Sequence, residues 1–321
     1  MSTEPSLPDP PALEHCYRHP SEETGVHCTR CGRPICPACM IEAPVGYQCP
    51  ECVGEARREF RRGPGRRIAV ANAKTVSATN VLLALIGAVF VVEVVIGGPG
   101  SLLLGPSSRQ LYDMGGGVAF FVQSETFARL LPGIATGQYW RLATSMFLHI
   151  GLIHLAFNAY ALWLFGNAIE NELGRLRLLL IYFTTGIFAS AASYAFGAPG
   201  VVGAGASGAI FGLFGAFLAY NYRRRSSALA AARLNQMVRL IALNALIAFS
   251  LHFIDWRAHL GGLVAGLAAG YVAEGWGNLD RRRLVLVVGF SAILVAAAGL
   301  VAWRTAALQD ITGIGAALQQ L

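Results

Sequence analysis

Charge is what this sequence has least of: Asp, Glu, Lys and Arg make up only 13% of its 321 residues, while 55% are hydrophobic. Soluble domains carry about 25% charged residues, so this balance excludes an ordinary soluble surface and makes a membrane protein the starting expectation. Cysteine is missing from the whole apolar part, since all seven cysteines fall between Cys16 and Cys52. Cysteine chemistry therefore belongs to a separate amino-terminal module. The polar, Pro-rich amino end has no basic stretch leading into an apolar one, so we expect no cleaved signal peptide and an amino terminus that stays in the cytoplasm. The net charge of +7 comes from Arg residues in short runs between apolar segments, not from one basic face. That pattern disfavours nucleic acid as a partner and reads as a topology signal.

The chain divides by composition into five parts. Residues 1–14 are expected to be disordered, 15–54 hold the cysteine module, and 55–76 form a basic tether with Arg57, Arg58, Arg61, Arg62, Arg66 and Arg67. This tether is expected to lie on anionic lipid headgroups. Seven apolar stretches follow within 77–303, each close to the ~20 residues that cross a bilayer as helix. They cover 77–97, 146–168, 177–196, 205–222, 236–254, 257–274 and 284–303, and 304–321 are left as a tail. The expected fold class is thus an all-α polytopic membrane protein with a small amino-terminal metal-binding module. Alternate loops carry seventeen Lys and Arg residues on one side against five on the other. The positive-inside rule then puts the amino end in the cytoplasm and the carboxyl end outside, in the cell membrane.

The connection 98–145 is long for a helical bundle. It holds Gly115, Gly116 and Gly117, a semi-polar run from Phe120 to Leu131, and Gln138-Tyr139-Trp140-Arg141. Two readings stay open: an ordinary external loop with an interfacial aromatic belt, or a partly embedded loop that supports a site.

Polar side chains inside spans are costly and tend to face the bundle interior. Gly205-Ala206-Ser207-Gly208 opens the fourth stretch; by itself a Ser among small residues is common at helix contacts. His259, in Ala258-His259-Leu260-Gly261-Gly262, opens the sixth stretch, at the same expected depth as Ser207. His259, Gly262, Gly266 and Gly270 share one helical face, and Gly208, Gly212 and Gly215 offer a matching one. Two glycine faces would bring imidazole and hydroxyl together. His149, His154 and Asn158 lie at the outer start of the second stretch, with His154 and Asn158 four apart on one face. Both can donate to a developing oxyanion, although helix–helix hydrogen bonding is the plainer reading of these residues taken alone. Glu93 is read as snorkelling to the interface, and Asn80, Asn244 and His252 as interhelical hydrogen-bonders.

In this order, His149 with His154 and Asn158, then Gly-x-Ser-Gly at 205–208, then Ala258-His259 followed by glycines, the chain resembles the rhomboid family over about 77–303. Trp140-Arg141 and Gly174-x-x-Arg177 resemble family motifs as well. The resemblance implies a six-helix core with a seventh, carboxyl-terminal helix as a variation, and an intramembrane serine endopeptidase. It implies Ser207 as nucleophile, His259 as base, and His154, Asn158 and the Ser207 N–H as oxyanion donors, with no third carboxylate. His149 and Gly205 would support these, and Phe211 would pack on the His259 ring. Substrates would be single-span membrane proteins cut near the outer face. A non-proteolytic rhomboid-like scaffold that binds transmembrane clients is the alternative. A transporter is disfavoured by the lack of an inverted repeat or a charged pathway.

Residues 16–52 contain Cys16-x-x-His19, Cys28-x-x-Cys31, Cys36-x-x-Cys39 and Cys49-x-x-Cys52. Eight ligands in so short a stretch suffice for two tetrahedral zinc ions, which would be structural because closed ligand sets leave no place for water. The spacing resembles B-box-like, cross-braced zinc fingers, which suggests that the first and third pairs bind one ion and the second and fourth the other. Sequential pairing remains open. His15 and His27 are read as solvent-facing, and the module as an adaptor for a cytoplasmic protein.

Overall fold

The computed structural model describes residues 13–43, 45–62, 76–122, 130–250, 254–275 and 279–312. Most of the expected disordered stretch 1–14 lies outside these, as do Arg66, Arg67, Arg129, His252, the Asn244 side chain and the tail beyond residue 312. The chain separates into two compact units, 1–76 and 77–321.

The first unit is built on two short antiparallel hairpins, β1 (Glu14–His15) with β2 (Glu23–Thr24) and β3 (Ile41–Glu42) with β4 (Tyr47–Gln48). A helix, α1 (Pro50–Arg62), starts on the last cysteine pair and runs on into the segment expected as tether. Its core consists of Cys16, Cys28, Cys36, Cys39, Cys49 and Cys52 around Ile35. So small a body buries too little apolar surface to stabilise itself by packing alone.

The second unit is a helical bundle. Its long helices are α2 (Ala78–Gly97), α6 (Leu152–Leu173), α7 (Arg175–Phe196), α8 (Ser207–Arg223), α9 (Ala228–Ser250), α10 (Trp256–Ala273) and α11 (Leu279–Thr312). Among the described residues, four are long and apolar enough to cross a membrane: α2, α6, α7 and the stretch Arg281–Leu308 of α11. The other three expected stretches also form helices. α8 has 17 residues, α9 contains Arg233 and Arg239, and α10 opens on Arg257 and His259. α8 and α10 pack mainly on each other and on α7, with their backbones in close contact at Gly262 and Gly266.

Two expected boundaries and two side-chain readings change. The second span does not begin at 146: Ser145–Phe147 is a single 3-10 turn, and α6 starts only at Leu152. Gly151 causes the break, since its φ of +88° is outside helical space and a Cβ there would lie 2.9 Å from the Leu103 carbonyl oxygen. The seventh helix runs past 303 to Thr312. Glu93 does not snorkel: it is 0% exposed and faces inward. Asn80 points outward and, among the described residues, makes no interhelical hydrogen bond, while its backbone N–H is held by the Ser77 cap.

The long connection folds as α3 (Gly100–Leu104), α4 (Ser108–Asp113), a hairpin of β5 (Phe121–Val122) with β6 (Leu130–Leu131), and α5 (Arg141–Thr144). Arg141 is buried, donates to the carbonyls of Tyr112 at 2.7 Å and Gly116 at 3.0 Å, and lies over the Tyr112 ring. A guanidinium with its protons satisfied by backbone oxygens is a tolerable buried cation, and it locks the loop. Gly117 and Gly203 then exchange two backbone hydrogen bonds, and the Gly205 N–H donates to the Ser145 carbonyl at 2.9 Å. The connection therefore braces the segment that leads into α8, as the supporting-loop reading requires.

Candidate active site

Ser207 is the first residue of α8, so its N–H is among those that a helix leaves without an intrahelical partner. His259 sits in the first turn of α10, whose amino end is capped by Asp255: the carboxylate accepts from the N–H groups of Arg257 and Ala258. The two helices meet along their glycines. A Cβ on Gly262 would collide with the Gly208 carbonyl, and one on Gly266 with that of Gly212. At this approach His259 Nε2 stands 2.9 Å from Ser207 Oγ. Phe211, one turn along α8, stacks on the imidazole with ring centroids 4.3 Å apart and planes 13° apart. The ring therefore has one face held and its Nε2 aimed at the hydroxyl.

His154 lies in the first turn of α6, and its Nδ1 accepts the Ile150 N–H at 3.2 Å. A neutral imidazole that accepts at Nδ1 carries its proton on Nε2. That Nε2–H faces Gly205, where an added Cβ would sit 2.9 Å from His154 Cε1, 3.2 Å from Nε2 and 3.5 Å from Ser207 Oγ. Gly205 has φ +139°, so the absence of a side chain there serves both the backbone bend and the space between His154 and Ser207. Asn158 is buried one turn further on, and its Nδ2 donates to the His154 carbonyl at 3.0 Å. One of its two amide protons is thereby used. No hydrogen bond joins it to Ser207 or His259.

His149 precedes α6 and is fully buried; its ring lies 5.3 Å from that of His154, and Nδ1 bonds the Phe147 carbonyl at 3.2 Å. Its hydrogen bonds run to Phe147 and Glu93, away from Ser207 and His259, and Nε2 is buried without a partner. Of two acidic residues near the site, Asp255 escaped the sequence reading and Glu93 was read there as snorkelling rather than as a partner of the site. Asp255 accepts a hydrogen bond from Ser193 besides capping α10, and an Asp just before an apolar helical run is a cap signal that could have found it. Glu93 accepts the His149 N–H at 2.9 Å; a carboxylate inside an apolar span was its signal.

In the first unit the ligands group as Cys16, His19, Cys36 and Cys39, and as Cys28, Cys31, Cys49 and Cys52, with the ligand atoms of each set within 4.8 Å of one another. The grouping joins first with third pair and second with fourth. His19 Nδ1 stands 3.2 Å from Cys36 Sγ and 3.4 Å from Cys39 Sγ, and Cys31 Sγ 3.8 Å from Cys49 Sγ. Four ligands at about 2.3 Å from one tetrahedral ion would be about 3.8 Å apart, so the donor sets fit such an ion. No disulfide competes for these sulfurs. The Arg33 side chain donates to Cys31 Sγ at 3.3 Å and holds that thiol down to about 6, which favours the thiolate a metal needs. Burial and neighbouring sulfurs push the Cys52 thiol up to about 12, as expected where several thiolates share one small space. His15 and His27 are exposed, and His27 pairs with Glu14 at 3.3 Å.

The rhomboid domain model matches residues 136–275. The chain is 45% identical over 136 residues to the rhomboid protease GluP of Bacillus subtilis, covering 42% of this chain and 26% of that protein. It is 37% identical over 140 residues to the putative rhomboid protease YdcA of the same organism, covering 44% of this chain and 70% of the relative. It is also 34% identical over 165 residues to the inactive RHOMBOID-like protein 8 of Arabidopsis thaliana, covering 51% of this chain and 43% of the relative. The chain thus spans about a quarter of GluP and most of YdcA.

Proposed function

This chain belongs to the rhomboid family and is a multi-pass membrane protein, and from that premise we propose that it is an intramembrane serine endopeptidase acting through Ser207 and His259. The observation that carries the reading is the 2.9 Å approach of His259 Nε2 to Ser207 Oγ on two glycine-packed helices. A serine hydroxyl is a weak nucleophile until a base takes its proton. In the proposed reaction, His259 Nε2 takes that proton as Oγ bonds to the peptide carbonyl carbon. The carbonyl oxygen becomes an oxyanion, received by the Ser207 N–H at the start of α8 and by His154 Nε2–H, with the remaining Asn158 amide proton as a third donor. Collapse expels the amine, which takes the proton from His259, and water then releases the acyl group by the same steps in reverse order. His149 and Gly205 shape the loop and the space around these donors, and Phe211 holds the base.

The substrates in this reading are single-span membrane proteins cut near the outer face, with the amino end of this chain in the cytoplasm and its carboxyl end outside. The two Cys/His sets would hold two structural zinc ions, and the module would bind a cytoplasmic protein. A relative whose name calls it inactive keeps a second reading in view, a scaffold that binds transmembrane clients without cutting them. Labelling with a serine-reactive fluorophosphonate separates the two: the protease labels, and Ser207→Ala does not. Absence of labelling and of cleavage in the unaltered protein would favour the scaffold.

A further inference from the structure

Glu93 is fully buried near the carboxyl end of α2, in the apolar run after Asn80, and among the described residues its carboxylate's hydrogen bonds are to backbone and not to a basic side chain. Both carboxylate oxygens face one backbone donor, the His149 N–H, at 2.9 and 3.3 Å. Burying a carboxylate for a single amide is expensive, so the contact has to be read with what lies beyond it. The next N–H along, that of Ile150, is the one that His154 Nδ1 accepts at 3.2 Å. Successive backbone donors of one short turn are therefore shared between Glu93 and His154, and the turn ends at Gly151, which cannot be replaced without striking Leu103. The Glu93 backbone is itself fixed, because Gln110 Nε2 donates to its carbonyl at 2.6 Å.

We propose that Glu93 is a positioning residue for oxyanion stabilisation: its carboxylate fixes the 149–150 backbone so that the Ile150 N–H keeps His154 in the tautomer whose Nε2–H points at Gly205 and Ser207. The inference rests on the protease reading above. If the turn rotates, His154 loses its Nδ1 partner, the proton is free to move to Nδ1, and the donor turns into an acceptor facing a developing negative charge. Glu93 thus acts through His154 and touches no reacting atom.

The experiment compares kcat and KM for a transmembrane substrate in proteoliposomes, with thermal unfolding alongside, for Glu93→Gln, Glu93→Leu and Glu93→Met. Each is measured in the unaltered and the His154→Ala background. Glu93→Gln keeps an oxygen that accepts the His149 N–H and is expected to stay within about 3-fold of the unaltered kcat. Glu93→Leu and Glu93→Met, of similar volume but without an oxygen acceptor, are expected to lose about 10- to 10²-fold in kcat with KM nearly unchanged, the size of a misplaced oxyanion donor. In the His154→Ala background the same changes should cost less than about 2-fold, because the group they position is gone. An equal loss in both backgrounds would mean a merely structural role and would overturn the inference. So would unaltered kcat in whichever oxygen-free variant folds, or a Glu93→Gln as impaired as Glu93→Leu. Absence of cleavage by the unaltered protein would instead fail the protease reading, a result distinct from all of these.

Discussion

Gly262 of α10 lies directly on the Gly208 carbonyl of α8, with no room for a methyl group between the two helices. This contact lies three residues after His259 and one after Ser207, so it sets how near the base comes to the hydroxyl. Gly262→Ala is expected to push α10 outward, costing about 1–3 kcal/mol of stability as overpacking does, and to lower the fluorophosphonate labelling rate more than it lowers the unfolding temperature would suggest. Gly299→Ala on α11, where a Cβ meets nothing within 4 Å, is the control and should change neither.

Ser207→Ala and His259→Ala should each abolish cleavage in a proteoliposome assay, and the double variant should be no worse, because the pair acts as a unit. His154→Ala and Asn158→Ala should be milder, each losing about 10² to 10³ in rate as single oxyanion donors do. Cleavage by Ser207→Ala at the unaltered rate would remove the protease reading.

Native mass spectrometry of the full chain should find about two zinc ions. Cys36→Ser and Cys49→Ser should each lose about one of them, since the two residues belong to different ligand sets. A chelator should unfold the first unit, whose core is made largely of the ligands themselves. Two zinc ions retained in Cys49→Ser would contradict the assignment.

A topology reporter fused after Arg224 should read as cytoplasmic, and one after Pro199 or at the carboxyl end as external, because arginine retention at the cytoplasmic side orients the spans. A cytoplasmic signal at Pro199 would put Ser207 at the other face from that proposed.

Much of the site was legible because its residues stand in short motifs with local geometric meaning. The i, i+4 relation of His154 and Asn158 and the glycine spacing after His259 are properties of any α-helix, and the pairing of helices through their glycine faces followed from the need of two backbones to approach. The four Cys-x-x-Cys or Cys-x-x-His pairs likewise offered ligands for tetrahedral sites, while their grouping as first with third and second with fourth was decided by the tertiary structure. The long connection stayed ambiguous since its order comes from Arg141 binding the Tyr112 and Gly116 carbonyls, residues 29 and 25 positions away.

Composition and periodicity by themselves determined that the chain is an apolar helical bundle with a separate module whose Cys/His sets could hold metal ions, and which residues could carry its chemistry. Only the tertiary structure decided where the second span begins, that Glu93 turns inward to the His149 N–H, and that Asp255 joins Ser193 to the cap of the His259 helix. The physical reason is that hydrogen bonds between a side chain and a backbone 56 residues away leave no periodic trace in a sequence. They exist only once packing has brought the two elements into one desolvated place.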